Sequence, residues 1–283
     1  MKRFPNSRRM AGYNITLWEG LIVKHAIYQM DIVPGDPRAN KKKVAEWLGH
    51  TMREEKPDAV VLPEMWTTGY TLPDLEVVAE TNGEPITEFL KKTAITYEVN
   101  IIGGSFANKK DGEFYNTSVT VDRSGDVVYR YDKIHLVPML DEPRYLTGGK
   151  EKVQVFELDG VKAGLIICFD LRFPELTRSL SLEGAKIVYV VAEWPTARKN
   201  HWKSLLIARA IENQIYIVAC NRVGEYNGVD FAGNSMVIDP WGNCLKTGSD
   251  TEVETIVETL DISAVAKFRK DVPIFSCRVP DLY

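Results

Sequence analysis

Four apolar runs in this chain leave no room for a polar face, and each stops at a polar residue. Val60-Val61-Leu62-Pro63 leads to Glu64, Leu165-Ile166-Ile167 to Cys168, Val188-Tyr189-Val190-Val191-Ala192 to Glu193, and Ile217-Val218-Ala219-Cys220 to Asn221. A strand-length run with no alternation has to be covered on both sides, as strands inside an α/β sheet are. In such sheets ligands collect beyond the carboxyl ends of the strands. The same four runs therefore point to a fold class and to the place where chemistry belongs.

Further strand-like runs lie at 25–30, 101–106, 115–121, 127–131, 153–158, 235–238 and 255–260, and the four apolar runs overlap strands at 59–62, 163–167, 187–192 and 215–219. Asp111-Gly112, Ser124-Gly125, Asp159-Gly160 and Trp241-Gly242 mark turns. Asp36-Pro37 reads as an N-cap followed by a first-turn proline, with Val44, Trp47 and Leu48 on one helical face. Ile86, Phe89, Leu90, Ala94 and Tyr97 form a second stripe. Pro174 opens a helix that Gly184 closes, and Trp202, Leu205, Leu206, Arg209 and Asn213 mark another. Each helix has a single apolar stripe, which suits a helix lying outside a sheet. The expected architecture is α/β: two stacked mixed sheets with helices on both outer faces.

At 283 residues the chain suffices for one large domain or two and needs no metal or disulfide to fold. A net charge of −4 gives no general basic footprint for nucleic acid. No stretch approaches the roughly 20 apolar residues of a membrane helix. The basic start, MKRFPNSRRM, lacks the apolar core of a signal peptide because Asn14 and Glu19 interrupt the next segment. Cys168, Cys220, Cys244 and Cys277 are spaced neither as a zinc site nor as a dense disulfide framework, so a reduced, cytoplasmic compartment is expected.

An acid (Glu64), a thiol (Cys168) and an amine (Lys133, soon after the 127–131 run) at strand ends make a candidate covalent-hydrolysis set. Each has a plainer reading. From position alone Glu64 can equally begin a loop, Lys133 reads as a surface charge, and a lone cysteine is more often a small buried hydrophobe. The two strand-end cysteines can be compared. Cys220 runs on into Asn221-Arg222-Val223-Gly224, a strand passing into a turn. Cys168 runs into Phe169-Asp170-Leu171-Arg172-Phe173-Pro174-Glu175, a sharp strand-to-helix change, where a helix N-terminus would favour a thiolate. Cys168 is the better nucleophile, and Cys220 packs.

Pro63-Glu64, Tyr131-Asp132-Lys133-Ile134-His135 and Cys168-Phe169-Asp170-Leu171-Arg172-Phe173-Pro174-Glu175 resemble the three motifs of the nitrilase superfamily of carbon–nitrogen hydrolases. They occur in the family's order, and the similarity covers residues 24–283, nearly the whole chain. The resemblance implies a four-layer α-β-β-α sandwich that forms homodimers or larger homo-oligomers and needs no cofactor. It implies Glu64 as general base, Cys168 as nucleophile on a carboxamide carbon, and Lys133 with the Phe169 backbone N–H stabilising the oxyanion. A thioester forms, ammonia leaves, and water activated by Glu64 releases the acid. One carboxylate in both steps has to be buried beside partners. A second glutamate found in some members matches Glu142, with Asp141 the rival register. Trp66, Tyr70, Glu193 and Trp194 are pocket candidates, with Arg198, Asn200 and His201 just beyond. Arg172 is either a holder of a substrate carboxylate or an internal partner of Asp170 or Glu175. His135 and His201 read as hydrogen-bonded structural histidines.

Within the superfamily, Met139-Leu140-Asp141-Glu142-Pro143, Ala192-Glu193-Trp194-Pro195 and Arg209-Ala210-Ile211-Glu212-Asn213 look most like the omega-amidase group. That likeness implies hydrolysis of the terminal amide of a small 2-oxo acid of the 2-oxoglutaramate or 2-oxosuccinamate type. A Glu193 facing the pocket would repel such an acid unless it is paired. An N-carbamoyl-amine hydrolase, an aliphatic amidase and a nitrilase share the catalytic set, and a silent interaction module is the reading from another class. By the same resemblance helices 174–184 and 202–213 meet their copies across a two-fold axis, and the segment 271–283 drapes over the partner. Residues 1–22 read as an N-terminal extension, non-native or mobile, with the hydrolase domain at 23–283. Trp18-Glu19-Gly20 can be encoded by a purine-rich string like a ribosome-binding site, with Val23 as a GTG start.

Overall fold

The computed structural model describes residues 20–282; residues 1–19, most of the segment read as an extension, lie outside them. The described chain forms two sheets. The first holds β1 (Ile22–Gln29), β2 (Ala59–Val61), β3 (Glu80–Thr81), β4 (Asn100–Ile102), β5 (Phe106–Lys110), β6 (Glu113–Val121), β7 (Val127–Asp132) and β16 (Glu254–Asp261). Its order is β16-β1-β2-β4-β6-β5-β3, with β7 also on β6. The second holds β8 (Phe156–Leu158), β9 (Val161–Ile167), β10 (Ile187–Ala192), β11 (Tyr216–Asn221), β14 (Met236–Ile238) and β15 (Cys244–Thr247), in the order β15-β14-β11-β10-β9-β8. A small hairpin, β12 (Glu225–Tyr226) with β13 (Val229–Asp230), stands apart.

β1, β2 and β4 are parallel neighbours, as are β9, β10 and β11. Every residue of β2, β10 and β11 is buried. Along β1 the two faces separate cleanly. Val23 and Ile27 join β9–β11 in the core between the sheets, whereas Ala26 and Tyr28 pack outward against α1 (Pro37–Glu54) and α3 (Glu84–Tyr97). The α1 N-cap is as expected: Asp36 Oδ1 accepts the Ala39 N–H at 2.9 Å, and Trp47 stacks on Tyr28 with centroids 4.5 Å apart. On the other side α5 (Pro174–Leu182) and α6 (Lys199–Asn213) cover the second sheet through Leu180, Trp202, Leu206 and Ala210. α5 needs Gly164 bare beneath it, because a Cβ there would lie 2.6 Å from Leu180 Cδ1. The four layers are those of the nitrilase-type α-β-β-α sandwich.

Sequence and structure part in several places. The 101–106 run is two strands, broken where Gly103-Gly104-Ser105 wraps the turn after β2. Gly104 has φ +60°, and a Cβ on it would lie 2.0 Å from Pro63 O. The 153–158 run is a strand only from Phe156. The short helices α2 (Leu75–Val78) and α4 (Glu142–Tyr145), the terminal helix α7 (Ser263–Asp271), and β3, β12, β13 and the exposed β15 carry too little apolar pattern to read. Near the C-terminus Phe275 lies between the guanidinium groups of Arg178 and Arg269 of its own chain, at 5.3 and 4.7 Å. Among the described residues no helix is long and apolar enough to cross a membrane.

Candidate active site

The two sheets bring the carboxyl ends of their parallel strands together. Beyond β1 and β11, Val223 N–H donates to Met30 O at 3.0 Å. Beyond β2 and β10, the Glu193 N–H donates to Glu64 Oε2 at 2.8 Å. Glu64, Lys133, Glu142 and Glu193 are completely buried here, and Cys168 is nearly so.

Lys133 follows β7 and Glu142 opens α4. The Lys133 Nζ donates to Glu64 Oε1 at 2.9 Å and to Glu142 Oε1 at 2.7 Å. Burial opposes charge on this amine, but Glu142 and Glu64 outweigh it and hold the ammonium well above its usual range. The Val137 N–H donates to Glu142 Oε2 at 2.6 Å. Burial pushes the Glu142 carboxyl up, against the pull of Lys133. The rival for that register, Asp141, is exposed. Two residues unread as partners complete the shell of Glu64 Oε1: Asn116 Nδ2 of β6 at 2.8 Å and the Tyr70 hydroxyl at 2.9 Å. Tyr70 also lies 2.6 Å from Glu142 Oε1.

Cys168 sits at φ +48°, a left-handed conformation that a residue with a Cβ adopts only under constraint. The expectation of a helix-stabilised thiolate is corrected. A 3₁₀ turn over Cys168–Arg172 follows the cysteine, and α5 starts only at Pro174. Burial, then Glu64, pushes the thiol well above its usual range despite Lys133. Cys220 is buried between the sheets with Sγ 3.3 Å from Tyr28 O, away from this set.

Asp170 is the residue whose importance sequence reasoning missed. Its Oδ2 accepts the Ile167 N–H at 3.1 Å and the Tyr131 hydroxyl at 2.7 Å. Its Oδ1 accepts the His135 N–H at 3.0 Å and lies 2.8 Å from His135 Nδ1. One carboxylate thus joins the strand end before Cys168 to both sides of Lys133. The His135 ring stacks on Phe173 with centroids 3.5 Å apart.

A cavity opens over Cys168, lined by Phe169, Arg172, Trp194, Arg198 and Met139 among others. The expected pairing of Arg172 with Asp170 or Glu175 is not formed, because Asp170 is occupied by backbone and ring donors. Arg172 instead lies over the Trp194 ring at 4.8 Å and the Phe169 ring at 5.7 Å, with Nη2 3.5 Å from His201 Nδ1. Burial and the neighbouring Arg198 pull its pKa down. His201 itself is exposed, at the start of α6. Trp66 does not line the cavity. Met65 has φ +44°, which turns the next side chain to the opposite face, where Trp66 Nε1 donates to Gly103 O at 2.8 Å and the ring packs near Phe89. Glu193 borders the cavity, and its charge is matched by buried Arg222, with Nη1 3.0 Å from Oε2. Burial outweighs that arginine and pushes Glu193 up to about 8.

This fold, with a buried acid, amine and thiol at converging strand ends, defines a hydrolase of the nitrilase superfamily. The carbon–nitrogen hydrolase family matches residues 24–270, and the chain belongs to it: it is a carbon–nitrogen hydrolase. It is similar to a protein of Staphylococcus lugdunensis named hydrolase in agr operon, at 48% identity over 80% of this chain and 97% of that one. It is similar to the 2-oxoglutaramate amidase of Bacillus subtilis, at 43% identity over 90% of this chain and 97% of that one. The crystal structure of Saccharomyces cerevisiae Nit3, a member of branch 10 of the nitrilase superfamily, superposes with a TM-score of 0.82 at 26% identity, covering 89% of this chain and 94% of that chain.

Proposed function

We propose that this protein is an omega-amidase, hydrolysing the terminal carboxamide of a small 2-oxo acid to the free acid and ammonia. The observation that carries the reading is the pair Arg172 and Arg198 at the cavity over Cys168. Among the described residues neither has a carboxylate partner, although the floor beneath them is crowded with acids. A guanidinium left without a counter-ion beside a reactive thiol is a holder for an anionic end of the substrate. The likeness to a 2-oxoglutaramate amidase agrees with that.

Chemistry follows from the floor. Glu64 takes the Cys168 proton as sulfur attacks the amide carbon. Lys133 and the Phe169 N–H face the oxyanion, and Glu64 returns the proton to the departing ammonia. Glu64 then draws a proton from water, which hydrolyses the thioester.

A screen for ammonia release across 2-oxoglutaramate, 2-oxosuccinamate, neutral aliphatic amides, N-carbamoyl amines and nitriles tests the substrate class. The 2-oxo acid amides should give the highest kcat/KM; equal or faster turnover of neutral amides sinks the reading.

We also infer a cytoplasmic homodimer. Support comes from four free cysteines and from exposed Leu182, Ile211 and Trp241 on and beside the outer helices of the second sheet. Light scattering that shows only a 32.0 kDa species at micromolar concentration contradicts the dimer.

A further inference from the structure

Tyr70 stands beside the reacting groups without lining the cavity over Cys168. Its ring is buried and packs against the Met65, Leu72 and Leu146 cluster. Its hydroxyl oxygen lies 2.9 Å from Glu64 Oε1, 2.6 Å from Glu142 Oε1 and 3.3 Å from Lys133 Nζ. A phenol carries one proton. That proton closes one of the two short gaps to carboxylate oxygens. The other gap is a hydrogen bond only when a carboxyl proton occupies it. Burial and the two acids keep the hydroxyl from ionising, so it remains a donor throughout.

We propose that Tyr70 is a two-way hydrogen-bond relay that supports Glu64 in both of its protonation states. When Glu64 is a carboxylate, the Tyr70 O–H donates to it. When Glu64 holds the proton taken from the Cys168 thiol, the Glu64 O–H donates to the Tyr70 oxygen, and Tyr70 turns its own proton to Glu142. No proton is gained or lost in the switch; the phenol proton changes acceptor as the thiol proton arrives, and changes back when Glu64 gives it to ammonia. Glu142 is then the terminus of the relay as well as a partner of Lys133. This assignment makes Tyr70 a positioning residue and removes it from the substrate contacts expected from sequence. It rests on Glu64 acting as the base and is independent of which amide is cleaved.

The test is Tyr70→Phe, which keeps the ring and its packing and removes only the hydroxyl. Turnover is measured with whichever primary amide the parent cleaves fastest. kcat should fall about 10- to 100-fold, the range of one hydrogen bond to a charged group, with KM unchanged. The dependence of kcat on the deuterium fraction of the solvent should be curved in the parent, where two protons shift together, and linear in the variant. A variant kcat within twofold of the parent overturns the relay, as does a loss confined to KM. A linear dependence in the parent overturns it without any variant. If Cys168→Ala retains activity, the catalytic reading itself fails, which separates that outcome from failure of the relay.

Discussion

The floor and the mouth of the cavity are built on opposite terms. On the floor every charge is answered: Lys133 by Glu64 and Glu142, Glu193 by Arg222, Glu64 by four donors counting the Glu193 backbone. Burying ions this deeply costs several kcal/mol each unless partners are in place, so the floor is fixed by the fold before substrate arrives. At the mouth Arg172 lies on the Trp194 and Phe169 rings with its pKa pulled down by burial and by Arg198, and among the described residues neither arginine has an acid partner. The floor is satisfied from within, and the mouth from without. Damage to the floor should therefore appear in kcat, and damage to the mouth in KM.

The largest effects test the floor. Cys168→Ala should abolish ammonia release, because no other group can carry the acyl chain. Glu64→Gln should be nearly as severe, since one carboxylate serves acylation and deacylation. Lys133→Ala should lower kcat by roughly 10²–10³-fold, the usual cost of one oxyanion donor. If any of these three changes KM and spares kcat, the division between floor and mouth is wrong. Next in size, Arg172→Ala and Arg198→Ala should each raise KM for an anionic amide about 10- to 100-fold, the range of a charge-assisted hydrogen bond, with kcat within a few fold. A fall in kcat instead would move these arginines into the chemistry. The smallest effect belongs to Cys220→Ala, which should leave kcat and KM intact because its sulfur reaches only backbone oxygens between the sheets.

Alkylation adds a pH dependence to the same comparison. Cys244 and Cys277 are exposed and should react with iodoacetamide whether or not substrate is present. Cys168 should label slowly near neutrality and faster as pH rises, because its thiol is held above the usual range, and saturating substrate should protect it. Protection of Cys220 in its place would exchange the roles of the two buried thiols.

Strand-end position made Glu64, Lys133 and Cys168 candidates, the three-motif resemblance chose them over their plainer readings, and the structure brings them together in one buried cluster. What failed to show was whatever depends on a partner distant in sequence or on the direction of one side chain. Arg222 answers Glu193 from the neighbouring strand, and nothing local to either residue says so. Asn116 sits in a strand run rich in Thr and Ser, with no signal that its amide meets a residue 52 positions away. Trp66 is two residues from Glu64, yet the left-handed Met65 sends it to the helix side of the sheet. Arg172 beside Asp170 and Glu175 invites an ion pair, but the tight 3₁₀ turn folds Asp170 back onto backbone donors. In the fold, α7 and β15 went unread because one buries only Val265 and the other buries nothing, so neither had a face to display.

Asp170 makes the enzyme a gauge of its own alignment. Its carboxylate grips the second sheet at Ile167 and the lysine-bearing segment at Tyr131 and His135, so the acid, the amine and the thiol keep their spacing only while the two sheets keep theirs. Activity and tertiary structure should then be lost together on heating, with no inactive but folded interval. Asp170→Asn, which turns an amide N–H toward groups that are themselves donors, should open such an interval: the temperature at which ammonia release stops would drop below the one at which the near-ultraviolet signal collapses. The thiol's environment, in that sense, is a property of the whole sandwich and not of the cysteine motif.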